Sequence, residues 1–318
     1  GLMSADPIHL LQLYPLAPAF EQALRERFAV HPWHDVPDRN GFLAGPGKVI
    51  RAVVTGGHLG IDPSLAAGLP ALEIVAINGV GYDKVDLAEA RRRGIRVTNT
   101  PDVLTEDVAD LAIGLMIALC RRIPAADRYA RSGDWASGGD FPLTRKASGQ
   151  RFGILGLGRI GRAIARRLEG FGGTIGYFSR RADPSLAYRH YDTPSALAAA
   201  SDVLIVSVAA SSETRNLVDA GVLAALGPKG VLVNVARGSV VDEPALIKAL
   251  ADGGSAGAAL DVFAHEPAIP AELAAMENVV LTPHVASATT ACREAMAALV
   301  LANLDAHFTG AALPSAVV

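Results

Sequence analysis

Short apolar runs recur along the chain, each closed by a polar loop that often carries glycine, and between several of them apolar residues return every three or four positions. The runs over residues 8–13, 49–55, 73–78 and 95–99 predict strands, with helices over 20–28 and 63–68. Past Thr100-Pro101 the pattern changes to a long helix over 106–120, with Thr105 as its N-cap. A strand pattern resumes at Arg151 and returns over 174–178, 203–208, 231–235, 256–262 and 279–282, before a last helix over 289–308. The runs of this second half are almost continuously apolar, as strands covered on both faces should be. Strands alternating with helices make parallel sheets, so the expected fold class is α/β, with two doubly wound parallel-sheet domains joined by long helices. Such domains leave a ligand cleft at the carboxyl ends of their strands.

The sharpest local signal is Arg151-Phe152-Gly153-Ile154-Leu155-Gly156-Leu157-Gly158-Arg159-Ile160-Gly161, a strand that runs into G-x-G-x-x-G and then a helix-forming stretch. Gly156 permits the tight turn, Gly158 lets backbone approach a pyrophosphate, and Gly161 lets helix pack on strand, while N–H groups at the helix start face the anion. The following strand ends about 20 residues beyond the first glycine, where an NAD site offers a carboxylate to the ribose 2′-hydroxyl. Here the chain offers Ser179-Arg180-Arg181. A hydroxyl followed by two guanidiniums suits a 2′-phosphate, which favours NADP(H) and leaves NAD(H) possible; the alternative is that both arginines are solvated loop charges.

Bulk composition narrows the classes. At 318 residues the chain suits two domains, since single cores seldom grow past about 250–300 residues. Half the residues are hydrophobic and 19% are charged, which excludes global disorder. A net charge of −3 gives no case for nucleic acid or an anionic membrane. Cys120 and Cys292 are too few for a disulfide framework or a zinc site, so no metal is expected; Cys120 reads as a buried thiol, and a reducing cytoplasm fits. No Lys or Arg precedes Arg25, so the start lacks the charge of a secretory or transit peptide, and Gly1-Leu2 ahead of Met3 reads as a cloning scar. The apolar run over 111–120, between Asp110 and Arg121-Arg122, reads as a buried helix because a bilayer span needs about 20 residues.

Three more strand-end loops in the second half carry chemistry: Asn234-Val235-Ala236-Arg237-Gly238, Asp261-Val262-Phe263-Ala264-His265-Glu266-Pro267 and Leu281-Thr282-Pro283-His284-Val285-Ala286-Ser287. A guanidinium holds the carboxylate of a 2-keto acid and polarises its carbonyl, and an imidazolium delivers a proton as hydride arrives. A carboxylate beside an imidazole orients it and favours its protonated form. Spacing alone leaves His265 and His284 both open as the acid.

These ordered motifs resemble those of the D-isomer-specific 2-hydroxyacid dehydrogenases, over residues 78 to 287. The resemblance implies Arg237 as the substrate-activating arginine, Glu266 as partner of the histidine and His284 as the acid–base. It places Thr105, Val208, Thr214, Val235, Ala236 and Ala286 along the cofactor with the glycine motif, and Asp261 near the nicotinamide carboxamide. Asn78-Gly79-Val80-Gly81-Tyr82-Asp83 is similar to the family loop whose N–H groups receive the substrate carboxylate. It further implies a discontinuous substrate domain of flavodoxin-like fold, residues 1–99 and 288–318, around a Rossmann cofactor domain, residues 100–287, and a homodimer formed through the cofactor domains. Phe141-Pro142-Leu143 and Ser179-Arg180-Arg181 are most similar to the NADPH-dependent glyoxylate/hydroxypyruvate and hydroxyphenylpyruvate reductase branch, in which Trp135 reaches the partner's pocket; by composition it is equally an interface aromatic.

The expected activity is therefore reduction of small 2-keto acids to D-2-hydroxy acids. A dinucleotide-sensing, corepressor-like binding protein is the alternative from another class, disfavoured by the intact Arg237, Glu266 and His284. Within the family, formate dehydrogenases carry Gln at the Glu266 position, and phosphoglycerate dehydrogenases an acidic residue after the Phe178 position. Glyoxylate, hydroxypyruvate and aryl pyruvates stay unranked, because pocket width depends on how the chain folds around His58, Leu59 and Trp135.

Overall fold

The structure is a computed structural model that describes residues 5–318; Gly1-Leu2, Met3 and Ser4 lie outside the described residues. The chain divides into two compact units, a smaller one running to Leu104 and resuming at Thr290–Val318, and a larger one, Thr105–Thr289.

The smaller unit holds β1 (His9–Gln12), β2 (Ala29–Pro32), β3 (Ile50–Gly56), β4 (Ile74–Asn78) and β5 (Arg96–Thr98). They pair in parallel in the order β2-β1-β3-β4-β5. Side chains alternate between two cores. Leu11, Val53, Val75 and Ile77 pack on one face, Leu10, Ala52, Val54, Ile74 and Ala76 on the other, the latter against Val300 and Leu304 of the helix Thr290–Thr309. Both faces of β1, β3 and β4 are covered, which is why these three strands carry no polar alternation.

The larger unit holds β6 (Arg151–Leu155), β7 (Thr174–Phe178), β8 (Arg189–His190), β9 (Val203–Val206), β10 (Val231–Asn234), β11 (Gly257–Leu260) and β12 (Val279–Leu281). Their order is β12-β11-β10-β9-β6-β7-β8, all parallel. The order reverses between β6 and β9, and ligands of open parallel sheets bind outside the carboxyl ends at such a reversal. The connecting helices start on polar caps: Thr193 accepts from Ala196 N, Asp219 from Val222 N and Asp242 from Ala245 N.

The long helix runs Thr105–Arg121 and so includes Thr105 rather than being capped by it. The run over 111–120 is only half sequestered: Ala112, Leu115, Met116, Leu119 and Cys120 are buried, while Leu111, Ile113 and Ile117 stay partly exposed. No helix among the described residues is long and apolar enough to cross a membrane.

Candidate active site

The dinucleotide cradle is built at the end of β6. Gly156 turns with φ +95°, and a Cβ there would lie 2.6 Å from the Val208 backbone; on Gly161 it would lie 2.2 Å from the Gly156 carbonyl. Over Gly158 a Cβ would meet nothing within 4 Å. The helix Arg159–Leu168 starts at Gly158 with no side chain capping it, and a helix N-terminus beside such open space suits an anion. Leu157 is buried behind the turn, Ile160 is half-buried, and Ser207 Oγ donates to the Gly156 carbonyl at 2.7 Å. These residues fit a dinucleotide pyrophosphate.

Three neighbouring strand ends make the chemical edge. At the end of β10, buried Asn234 shapes its own loop: its Oδ1 accepts from Ala236 N at 3.0 Å and its Nδ2 donates to the Arg237 carbonyl at 3.1 Å. A Cβ on Gly238 would strike the Phe263 carbonyl group at 2.1 Å, so glycine lets this loop press onto the one after β11. Val235 is buried, Ala236 and Arg237 half-buried, and the Arg237 guanidinium has no hydrogen-bond or ion-pair partner among the described residues.

Past β11, Asp261 is fully buried and both its oxygens are engaged. Oδ1 accepts from Thr282 Oγ1 at 2.7 Å and Val285 N at 2.8 Å, and Oδ2 from Ala286 N at 3.1 Å. The carboxylate thus clamps the loop after β12 on both sides of His284, a residue held at φ +51°. Left-handed backbone costs a non-glycine residue about 1–3 kcal/mol and persists only where the surroundings fix it.

His284 Nδ1–H donates to Glu266 Oε2 at 2.6 Å, and Glu266 Oε1 accepts from Phe263 N at 3.0 Å. With Nδ1 committed, Nε2 is the ring nitrogen left to act. Burial works to raise the Glu266 carboxyl, but the His284 hydrogen bond, the Phe263 amide and the charges of His284 and Arg237 outweigh it and hold it below the usual glutamate range. Its depressed value means that the pair is intact above the ordinary glutamate range and is lost as pH falls through the folded value. His265, adjacent in sequence, is exposed and touches Ala268 through backbone alone.

Beyond β7, Ser179 Oγ donates to the Arg181 carbonyl at 2.5 Å, and His190 Nε2 lies 2.9 Å from the Ser179 carbonyl. Arg180 pairs with Glu213, a residue of the loop after β9 that no sequence motif marks. Arg181 is exposed. In the same loop as Glu213, Thr214 Oγ1 donates to the Ala209 carbonyl at 2.8 Å. Asp183, the first carboxylate after the arginines, is spent on Arg162 at 2.8 Å; hydrogen bonds from Ser185 and then Arg162 hold it down to about 2. In the smaller unit, Asn78 closes β4 and the half-buried Gly79, Val80 and Gly81 follow it. No group of three or more His, Cys, Asp or Glu that could hold a metal occurs among the described residues.

A nucleotide-binding parallel sheet whose chemical edge carries an arginine and a histidine–carboxylate pair is the architecture of a dinucleotide-dependent oxidoreductase. The model of the D-isomer specific 2-hydroxyacid dehydrogenase NAD-binding domain matches residues 113–286, and the chain belongs to that family. It is 51% identical to glyoxylate/hydroxypyruvate reductase A of Arabidopsis thaliana over 98% of this chain and all of the relative. It is 49% identical to hydroxyphenylpyruvate reductase of Plectranthus scutellarioides over the same shares. Among solved structures, the NADPH-dependent glyoxylate/hydroxypyruvate reductase of Sinorhizobium meliloti, in complex with NADP and malonate, superposes with TM-score 0.92 at 43% identity, over 98% of this chain and 97% of the other.

Proposed function

We propose that the protein is an NADPH-dependent reductase of small 2-keto acids, glyoxylate and hydroxypyruvate foremost, giving D-2-hydroxy acids. The observation that carries this is the His284–Glu266 pair on a clamped loop at the carboxyl edge of a sheet that also holds an open dinucleotide cradle. The reduced nicotinamide, when bound, supplies the hydride. His284 Nε2 delivers the proton to the carbonyl oxygen, while Glu266 holds the ring in place through Nδ1. Arg237, with its planar fork unpaired, binds the carboxylate and draws electron density from the carbonyl. Taken by itself, the smaller unit offers the backbone N–H groups of Asn78, Gly79, Val80 and Gly81, which we assign to a substrate carboxylate. Ser179, Arg180 and Arg181 receive the 2′-phosphate, with Arg180 passing from Glu213 to the phosphate on binding. Thr105, Leu157, Arg159, Ile160, Val208, Thr214, Val235, Ala236, Asp261 and Ala286 line the remainder of the cofactor.

We further infer a homodimer through the larger unit. Ile123, Trp135 and Leu143 are 49%, 67% and 100% exposed there. Three large apolar side chains so exposed, on the unit whose long helix keeps a partly open apolar face, are what an interface would cover. Cys120 and Cys292 are buried and neither forms a disulfide among the described residues, in keeping with a reducing compartment, and we assign the cytoplasm. The test is NADPH oxidation with a panel of 2-keto acids, repeated with NADH. Turnover of glyoxylate and hydroxypyruvate with NADPH preferred is the expected result; absence of turnover, or NADH preference, contradicts it.

A further inference from the structure

The smaller unit carries a polar corner whose side chains are given no role in catalysis as proposed. β1 ends just before Tyr14, β3 just before His58, and β4 at Asn78. These strands are neighbours in the order β1-β3-β4, so their carboxyl ends bring the three side chains together. Asn78 Nδ2 donates to the Tyr14 hydroxyl at 3.1 Å, and the Tyr14 ring meets the His58 ring edge-on at 5.2 Å between centroids. Arg293, in the first turn of the helix Thr290–Thr309, is near enough for its charge to act on the Tyr14 phenol.

Two features mark this corner as a receptor rather than packing. Asn78 is only 9% exposed, and its Oδ1 has no hydrogen-bond partner among the described residues. Turning the amide over would orphan its NH₂ instead, a standing cost that close packing alone would not retain. The Tyr14 hydroxyl, accepting from Asn78, has no acceptor for its own proton among the described residues, and Arg293 has no carboxylate partner there. Burial pushes the Tyr14 phenol above its usual range, against the lowering pull of Asn78 and Arg293, so it remains a proton donor at neutral pH.

We propose that Tyr14, positioned by Asn78 and flanked by His58 and Arg293, forms the subsite for the substrate's third carbon and selects 2-keto acids that carry a hydroxyl there. This rests on the assignment of the loop after Asn78 to the substrate carboxylate. Asn78 directly precedes that loop, so the tail of an acid anchored there lies beside Tyr14. The Tyr14 O–H and the Arg293 guanidinium donate to the hydroxyl oxygen, while Asn78 acts through Tyr14. An aromatic tail would cover these donors without giving them an acceptor, which a site built for hydrogen bonding penalises.

The test compares kcat/KM with NADPH for glyoxylate, which has no third carbon, hydroxypyruvate and hydroxyphenylpyruvate, in wild type and Tyr14→Phe. Wild type should rank hydroxypyruvate above hydroxyphenylpyruvate. The variant's hydroxypyruvate-to-glyoxylate ratio should fall about fivefold, mostly through KM, as loss of one neutral hydrogen bond predicts. A ratio that falls less than threefold, or a wild type that prefers the aromatic acid, overturns the subsite. If Tyr14→Phe does not fold, Arg293→Gln is judged by the same ratio and threshold. A wild type that reduces none of the three acids overturns instead the activity on which the subsite rests.

Discussion

Two loops of the larger unit, assigned here to one reaction, are built in opposite ways. The loop after β12 hangs from a fully buried carboxylate by three hydrogen bonds, and its histidine is gripped by a second carboxylate that is itself held by a backbone amide. The loop after β7 holds its functional side chains in solvent: Arg180 is 75% exposed and its partner Glu213 65% exposed. The difference follows from the tasks we propose for them. Proton delivery to a carbonyl oxygen fails when the donor is misplaced by an ångström, so its position is fixed by buried charge. Telling a phosphate from a hydroxyl needs only positive charge in the right neighbourhood, which exposed guanidiniums supply.

Substitutions on the two loops should therefore differ in size and kind. His284→Ala should lower kcat for keto-acid reduction by about 10²–10⁴. His265→Ala, one residue from Glu266 but exposed and outside the pair, should stay close to wild type; equal damage from both would place the acid at the wrong histidine. Replacing Arg180 and Arg181 together by Ala should weaken NADPH relative to NADH by roughly 10- to 100-fold in fluorescence titration, with kcat hardly changed. Equal losses for both cofactors would dissolve the comparison. Asp261→Asn keeps the shape but turns an NH₂ toward the loop's donors, so kcat should fall about tenfold and stability by roughly 1–3 kcal/mol in urea unfolding. Were it indistinguishable from wild type, the His284 loop would hold itself. Glu213→Gln, which frees Arg180, should tighten NADPH by only about two- to fivefold and leave NADH alone, as befits a solvent-exposed pair.

Much of this is visible in the chain. Predominantly apolar runs marked both sheets, and β6 running into Gly156-Leu157-Gly158-Arg159-Ile160-Gly161 marked the cradle, because each signal is local. The strand Ala29–Pro32 escaped notice as a short, half-exposed edge strand that ends in proline, with neither an apolar run nor clean alternation. The helices Pro194–Ala199, Ala220–Leu226 and Glu243–Asp252 are too short to establish a period, though Thr193, Asp219 and Asp242 before them carry the capping signal. At the site, Arg237, Glu266 and His284 stood out as polar residues after apolar strands. The pairing of Glu266 with His284 rather than with its neighbour depends on where the loop after β12 lies, and that is set by Asp261, which reads in sequence as one more strand-end acid. Glu213 beside Arg180, and Tyr14 beneath a residue 64 positions away, are contacts between sequence-distant loops and leave no local trace.

The pH profile of Glu266→Gln tests the central claim most directly. Gln preserves an acceptor for His284 Nδ1–H but removes the titrating carboxyl, which in wild type is held below the usual glutamate range. The acid limb of keto-acid reduction, set in wild type by protonation of Glu266 and loss of the pair, should therefore disappear from the variant's profile. An acid limb that stays where wild type has it would mean that Glu266 does not govern the proton donor and that His284 is not the acid.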